Sequence, residues 1–201
     1  MSAYREEQMH AQKMVARYLT QAREDERQQW RQMCAGYRAF REKIARFQSR
    51  HLQAICTRSC FQSHLSACCN KDGIITFFAD VVINALFSPP EMLSDLIACL
   101  PEAREDMKCI YLSEGGCRWH LKPIVCETFL CDRAQETIQA LDARAATAWQ
   151  ALKAEAKLYR WPDRPVLFDA IESRFLAAGL CSPLMYLHNS PGLVRIKRKA
   201  G

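Results

Sequence analysis

Eight of the eleven cysteines in this 201-residue chain fall into two clusters, and the sequence around them is typical of helices. The first cluster covers residues 56–69 and the second covers residues 109–131. Its members are Cys56, Cys60, Cys68, Cys69, Cys109, Cys117, Cys126 and Cys131. Thiolates are soft ligands, and two short segments that each carry several of them can converge on one site when the intervening helices pack. The pattern therefore predicts a metal centre, an iron–sulfur cluster or zinc, held by a helical scaffold.

The compartment bears on how these thiols are used. The N-terminal segment has neither the apolar stretch nor the small-residue cleavage site of a secretory signal, so we expect a cytoplasmic protein. In a reducing compartment, abundant cysteine is better explained by metal binding or redox chemistry than by disulfides. An exported, disulfide-bonded domain is the alternative. Residues 74–87 are the most apolar stretch, but they are too few to span a bilayer, so we expect no membrane partner.

Composition fits a globular protein, with 49% hydrophobic and 25% charged residues. The formal charge of +6 is spread along the chain, and the dense basic run is at the end. That run consists of Arg195, Lys197, Arg198 and Lys199. No recognisable nucleic-acid-binding module accompanies it, so a nucleic-acid partner is not expected.

Residues 1–50 contain no proline and are rich in strong helix formers, which predicts one long helix or two in tandem. Apolar residues then repeat at spacings of three and four, which makes a seam along one side of the helix. The seam consists of Trp30, Met33, Tyr37, Phe40, Ile44 and Phe47. We expect it to pack on the rest of the same domain, and the alternative is self-association or a protein partner bound through this helix.

Further helices are predicted from about residue 74, over residues 91–100, over residues 134–159 and over residues 166–180. Ser88 is predicted to cap the second of these, with proline in its first turn. Residues 110–112 and 118–121 flank a Glu114-Gly115-Gly116 turn, as a short hairpin would. The predicted fold class is mainly α: a helical single domain with a long N-terminal helix and a small β-hairpin beside a cysteine-rich metal site.

Four segments follow from this organisation. They are an N-terminal helical extension (1–52), a cysteine-cluster metal-binding core (53–133), C-terminal helices packing on the core (134–182) and a basic tail (183–201). The thiolates are expected to be buried against aromatic neighbours such as Trp119 and Phe129, which would limit solvent access to the metal.

The spacing ranks the cysteines as ligands. Cys56 and Cys60 can meet on one helical turn, whereas the side chains of the adjacent Cys68 and Cys69 diverge, which favours a polynuclear site. Cys131 lies five residues after Cys126, so their sulfurs need not share one face. Possible substitute ligands are His64, His120, Glu127 and Asp132. The isolated cysteines, Cys34, Cys99 and Cys181, are interpreted as small buried hydrophobic residues.

The two clusters together resemble the bacterial YkgJ-type cysteine-cluster family, whose members are described as zinc- or iron-chelating proteins. The specific element is CIYLSEGGCRWHLKPIVCETF, which matches the family's C-x-x-L...G-x-C...R-P-x-x-C pattern. The matching positions are Cys56, Cys60, Cys68 and Cys69, then Cys109, Leu112, Gly116, Cys117, Pro123 and Cys126. Two departures are a first cluster stretched to Cys-x3-Cys-x7-Cys-Cys and Lys122 in place of arginine. The resemblance implies metal binding.

Function is therefore predicted as holding an iron–sulfur cluster or zinc in a redox, sensing or metal-handling role. The alternative is a zinc-stabilised interaction module that recruits a partner through its N-terminal helix. The family also resembles part of the flagellin lysine methylases, which implies a metal-dependent enzyme as a third alternative. The sequence lacks the glycine-rich signature of an S-adenosylmethionine site, so a conventional enzyme is not expected.

Overall fold

The chain is mainly α-helical, as predicted. The computed structural model describes residues 2–56, 62, 74–101, 109–141, 143–160 and 165–190. These form nine helices and one two-stranded hairpin: α1 (Ala3–Gln21), α2 (Glu24–Gln53), α3 (Phe78–Phe87), α4 (Pro90–Ala98), β1 (Leu112–Ser113), β2 (Gly116–Cys117), α5 (Ile124–Thr128), α6 (Asp132–Leu141), α7 (Ala143–Arg160), α8 (Leu167–Ala177) and α9 (Tyr186–Asn189). No helix within these ranges is both long and apolar enough to cross a bilayer.

The N-terminal segment that is rich in helix-forming residues folds as two helices in tandem. Ala22 and Arg23 are extended, which separates α1 from α2. The apolar seam of α2 faces inward, and five of its six members are buried: Trp30, Tyr37, Phe40, Ile44 and Phe47. They belong to the same hydrophobic cluster as residues of α3 and α8. The prediction that the seam packs into the protein's own core is confirmed.

Helix α3 lies at the centre of the fold and contacts α1, α2 and α8. It begins at Phe78, four residues later than predicted, because residues 74–77 are not helical and the backbone of Phe77 is extended. The Asp80 carboxylate explains this start, since its Oδ2 accepts a hydrogen bond from the Phe77 backbone N–H at 3.1 Å. Apolar periodicity alone did not reveal this cap.

Ser88 ends α3, so its predicted role as the cap of the next helix is wrong. Its backbone N–H donates to the Asn84 carbonyl at 2.9 Å, and its hydroxyl bonds to the Asn84 side chain. Helix α4 then begins at Pro90 and follows Pro89, so proline stands in the first turn as predicted.

The C-terminal helices pack around α7, which contacts α2, α6 and α8. The helix predicted over residues 134–159 is helical throughout its described part, over Asp132–Leu141 and Ala143–Arg160, and residue 142 lies outside that part. Helix α8 ends before Gly179, whose φ of 74° favours glycine.

Helix α9 was not predicted. The buried Glu172 of α8 binds its first turn, because its carboxylate accepts the Tyr186 and Leu187 backbone N–H groups at 3.3 and 2.9 Å. The rest of the predicted basic tail, residues 191–201, lies outside the described residues.

Candidate metal centre

The hairpin positions two of the predicted ligands, Cys109 and Cys117. Leu112 pairs with Cys117 and Ser113 with Gly116, so the strands are shorter than the predicted ones and shifted toward the turn. Gly116 has a φ of 113°, a conformation that side chains rarely adopt. Cys109 is buried and precedes β1 in a turn closed by the Leu112 N–H and the Cys109 carbonyl at 3.0 Å. The residue paired with Cys117 across the hairpin is thus Leu112, three residues after Cys109.

Two polar residues of α3 hold the segment that carries Cys126. Asn84 Oδ1 accepts the Leu121 N–H at 2.9 Å, and Asp80 Oδ1 accepts the Ile124 N–H at 3.1 Å. Ile124 is the first residue of α5, and Cys126 stands in that helix. Because Asp80 also caps α3, a single carboxylate fixes the starts of both helices. The position of Cys126 is thus tied to the centre of the core.

The environment of Asp80 makes this clamp sensitive to charge. Burial removes the carboxylate from water and raises its pKa from the ordinary 3.8 to about 6, although the Arg41 guanidinium opposes the rise. Arg41 is itself buried and donates to the Lys122 carbonyl at 2.5 Å, just before α5. A guanidinium nitrogen of Arg41 also lies 3.6 Å from a carboxylate oxygen of Glu127. Charged groups therefore surround the base of α5.

Tyr4 of α1 lies within the electrostatic reach of two of the predicted ligands. Its hydroxyl interacts electrostatically with the thiols of both Cys109 and Cys126, although these are 17 residues apart in the sequence. The Ile74 N–H donates to Tyr4 Oη at 3.1 Å, which fixes the hydroxyl. Burial raises the pKa of Tyr4 to about 12. The spacing of the cysteines did not predict that Tyr4 lies near them.

A second tyrosine joins α1 to the hairpin. Tyr111 is fully buried, and its hydroxyl donates to Gln8 Oε1 at 2.9 Å, one turn along α1 from Tyr4. Burial raises the pKa of Tyr111, and the nearby Tyr4, Cys99 and Cys109 act in the same direction. Its ring packs edge-on against Trp119 at 5.3 Å. The start of α1 therefore forms one wall of the cysteine segment.

The other predicted ligands are more scattered. Cys56 is exposed in a helical turn that follows α2, and Cys131 is half-buried just before α6, where its carbonyl accepts the Gln135 N–H. Three predicted ligands and one substitute lie outside the described residues: Cys60, Cys68, Cys69 and His64. Across the ranges that the structure describes, no group of three or more His, Cys, Asp or Glu side chains is arranged to hold a metal.

The described substitute ligands have other surroundings. His120 and Asp132 are exposed, and Glu127 faces Arg41. His120 and Glu127 both line a small groove of about 220 Å³ with residues of α2.

The isolated cysteines divide into two kinds. Cys34 and Cys99 are buried, as predicted, and burial raises the pKa of Cys34 to about 12. Cys181 is exposed, so its prediction as a buried residue is wrong. It stands two residues after Gly179, in the segment that joins α8 to α9.

The two aromatic residues predicted to shield the metal also differ. Trp119 is buried, but Phe129 is 51% exposed, so that part of the prediction is wrong. Phe129 lines a groove of about 320 Å³ between α5 and α7, where Lys153 and Lys157 also lie. Phe129 follows the last residue of α5 and turns away from the core.

Comparison with known protein families, curated proteins and solved structures finds no match to this chain. The site is therefore interpreted from its own residues.

Proposed function

We propose that this protein binds a metal ion or an iron–sulfur cluster through its clustered cysteines, in a redox, sensing or metal-handling role. The observation that carries the proposal is the pair of cysteine clusters, of which the second places Cys109 buried before β1 and Cys126 in α5, the helix whose start is bound by Asp80 of α3. Eight thiols lie in two short segments of the sequence, and thiolates are preferred ligands of soft metal ions and iron–sulfur clusters.

The way Cys126 is held supports this interpretation. Asp80 and Asn84 use buried polar groups of a central helix to fix a five-residue helix and the loop before it. Ligand geometry at metal sites depends on such supporting hydrogen bonds.

Cys34 is set apart from the ligand candidates by its place in the fold. It is buried in α2 within the hydrophobic core, and burial raises the pKa of its thiol to about 12. Cys34 is therefore interpreted as a core residue.

Serine substitution tests the proposal. Cys109→Ser and Cys126→Ser should each lose most of the bound metal, measured as metal per chain after anaerobic purification. Cys181→Ser is the matched control, because its exposed thiol lies outside both clusters, and it should keep the wild-type content. Equal metal loss in all three variants, or equal retention, would contradict the proposal.

The same preparations separate the two metal classes. A cluster predicts iron and acid-labile sulfide with visible charge-transfer absorption, whereas a structural zinc site predicts stoichiometric zinc and no colour. If zinc is found, its removal by a chelator should unfold the region around it, because structural zinc contributes folding free energy.

A further inference from the structure

The groove between α5 and α7 combines apolar surface with positive charge. It has a volume of about 320 Å³, and residues of both helices line it. Three large hydrophobic side chains are exposed among the described residues, and Phe129 is the aromatic one. The apolar lining includes Val125, Phe129 and Ala156, and the charged lining consists of Lys153, Lys157 and Arg160.

The three cations lie on one face of α7. They are four and three positions apart, and this spacing places side chains next to one another on a helix. They cover about 10 Å along the helix axis. Both lysines are exposed, whereas the Arg160 guanidinium lies over the ring of Phe77, 5.8 Å from its centroid.

The carboxylates of the two helices lie elsewhere. Glu155, the acidic residue of α7, pairs with Lys43 of α2 at 2.8 Å, and Glu127 of α5 lies 3.6 Å from Arg41. No Asp or Glu stands among the described residues that line the groove. The groove is therefore complementary in charge to an acidic ligand.

The wall that carries Phe129 is fixed to the core. The Phe129 backbone N–H donates to the Val125 carbonyl at 2.9 Å, and the Ile124 N–H donates to the buried Asp80 at 3.1 Å. Because the backbone of this wall is already ordered, binding costs less conformational entropy there.

Charge and size decide which occupant the groove fits. The basic run at residues 195–199 has the wrong sign, and a second copy of the chain carries the same net charge of +6. A nucleic acid engages roughly six to ten phosphates, and an anionic membrane attracts clusters of about four to eight cations. Three cations beside one aromatic ring fit a short protein segment better.

We propose that the groove between α5 and α7 docks an acidic segment of another protein. Its carboxylates pair with Lys153 and Lys157, and an apolar side chain between them packs on Phe129. An aromatic anchor inside a polar rim is the usual arrangement of a protein–protein interface. The docking site does not depend on the metal-binding function proposed above, although α5 also carries Cys126.

A random peptide library displayed on phage is the probe, selected on the full-length wild-type protein. The recovered peptides are synthesised with a fluorescent label, and their dissociation constants are measured by fluorescence anisotropy at physiological ionic strength. They should be rich in Asp and Glu around an aromatic or large aliphatic residue. Phe129→Ala should weaken their binding about tenfold. The double variant Lys153→Glu, Lys157→Glu should weaken it about 10- to 100-fold, because like charges then face each other.

Lys13→Glu, Arg17→Glu is the matched control. These exposed residues of α1 have the same spacing of four, so the control makes the same change in net charge on another helix. Its affinity should equal that of the wild type, because salt screens charges beyond about 8 Å. An equal loss in the two double variants would show attraction to net charge alone and would overturn the proposal.

The remaining outcomes are equally clear. Recovery of no acidic peptides, or acidic peptides that bind Phe129→Ala as tightly as wild type, would overturn the proposal. So would displacement of the peptide by oligouridine or by phosphatidylserine vesicles at lower concentrations than unlabelled peptide requires. If circular dichroism shows that the charge-reversed variant is unfolded, Lys153→Gln, Lys157→Gln replaces it, with Lys13→Gln, Arg17→Gln as its control. The expected loss is then about 2- to 30-fold, and no loss would overturn the proposal.

Discussion

Replacement of Asp80 by asparagine should change the pH dependence of stability in a defined direction. The raised pKa means that the folded protein prefers the protonated acid. The stability that this preference lends is complete below about pH 3.8 and is lost as the pH rises through about 6. At about 1.4 kcal/mol per pKa unit, the full loss is about 3 kcal/mol, and about 2 kcal/mol of it falls between pH 4 and pH 7.

Asparagine cannot ionise, so the variant escapes this loss. It keeps one acceptor oxygen for two N–H donors, those of Phe77 and Ile124, and the unmet donor costs about 1–3 kcal/mol. Asp80→Asn should therefore be less stable than wild type at pH 4. The difference in unfolding free energy between wild type and variant should narrow by about 2 kcal/mol by pH 7. At that pH the cost of the unmet N–H donor in the variant and the cost of the ionised, buried Asp80 in the wild type are similar in size and opposite in sign.

The assay is urea unfolding followed by circular dichroism at several values between pH 4 and pH 7. Asp25→Asn provides a control of sign, because its hydrogen bond with Arg23 lowers the pKa of the exposed Asp25. The stability that this lends is present above its ordinary pKa of 3.8 and lost as the pH falls below it, so the difference in unfolding free energy for Asp25→Asn should change only at the acid end of the range and stay constant toward pH 7. If the difference in unfolding free energy between wild type and Asp80→Asn is constant or widens as the pH rises, the pKa of Asp80 is not raised by burial.

Three further substitutions and one labelling experiment test the packing. Gly116→Ala should cost about 1–3 kcal/mol of unfolding free energy, because its φ of 113° suits glycine. By contrast, Gly36→Ala in α2 should add about 0.5–1 kcal/mol, since its nearest neighbour is 3.9 Å away. Glu172→Gln should cost about 1–3 kcal/mol of unfolding free energy by leaving one N–H of α9 without an acceptor, and all three effects are measured by thermal or urea unfolding. Iodoacetamide should alkylate Cys181 and spare Cys34 in the folded protein, and mass spectrometry showing the reverse would contradict the burial of Cys34.

The parts of the fold that the sequence predicted are those governed by local periodicity. The seam of α2 repeats every three to four residues, and its burial followed directly from that spacing. The late start of α3 was missed, because the residues before it are as apolar as the helix, and the cap lies inside it at Asp80. Helix α9 was missed because its N–H groups are bound by Glu172, which is separate from it in sequence.

The candidate site was predictable only at the level of residue type. Cysteine spacing identified Cys109 and Cys126 as ligand candidates, and no alternation or helical period could place both near Tyr4, whose pKa their thiols raise. Tyr4 stands in the first turn of α1, more than 100 positions away from either cysteine in the sequence. One signal was available: glutamines at positions 8 and 12 share a helix face with Tyr4, and a polar face that faces inward indicates a buried polar partner.

Elemental and spectroscopic analysis of anaerobically isolated wild-type protein shows directly whether the clustered cysteines hold a metal. Stoichiometric zinc, or iron with acid-labile sulfide and visible charge-transfer absorption, is the predicted result. Protein that is folded by circular dichroism, contains none of these and takes up neither Zn²⁺ nor iron with sulfide would contradict metal binding by these cysteines.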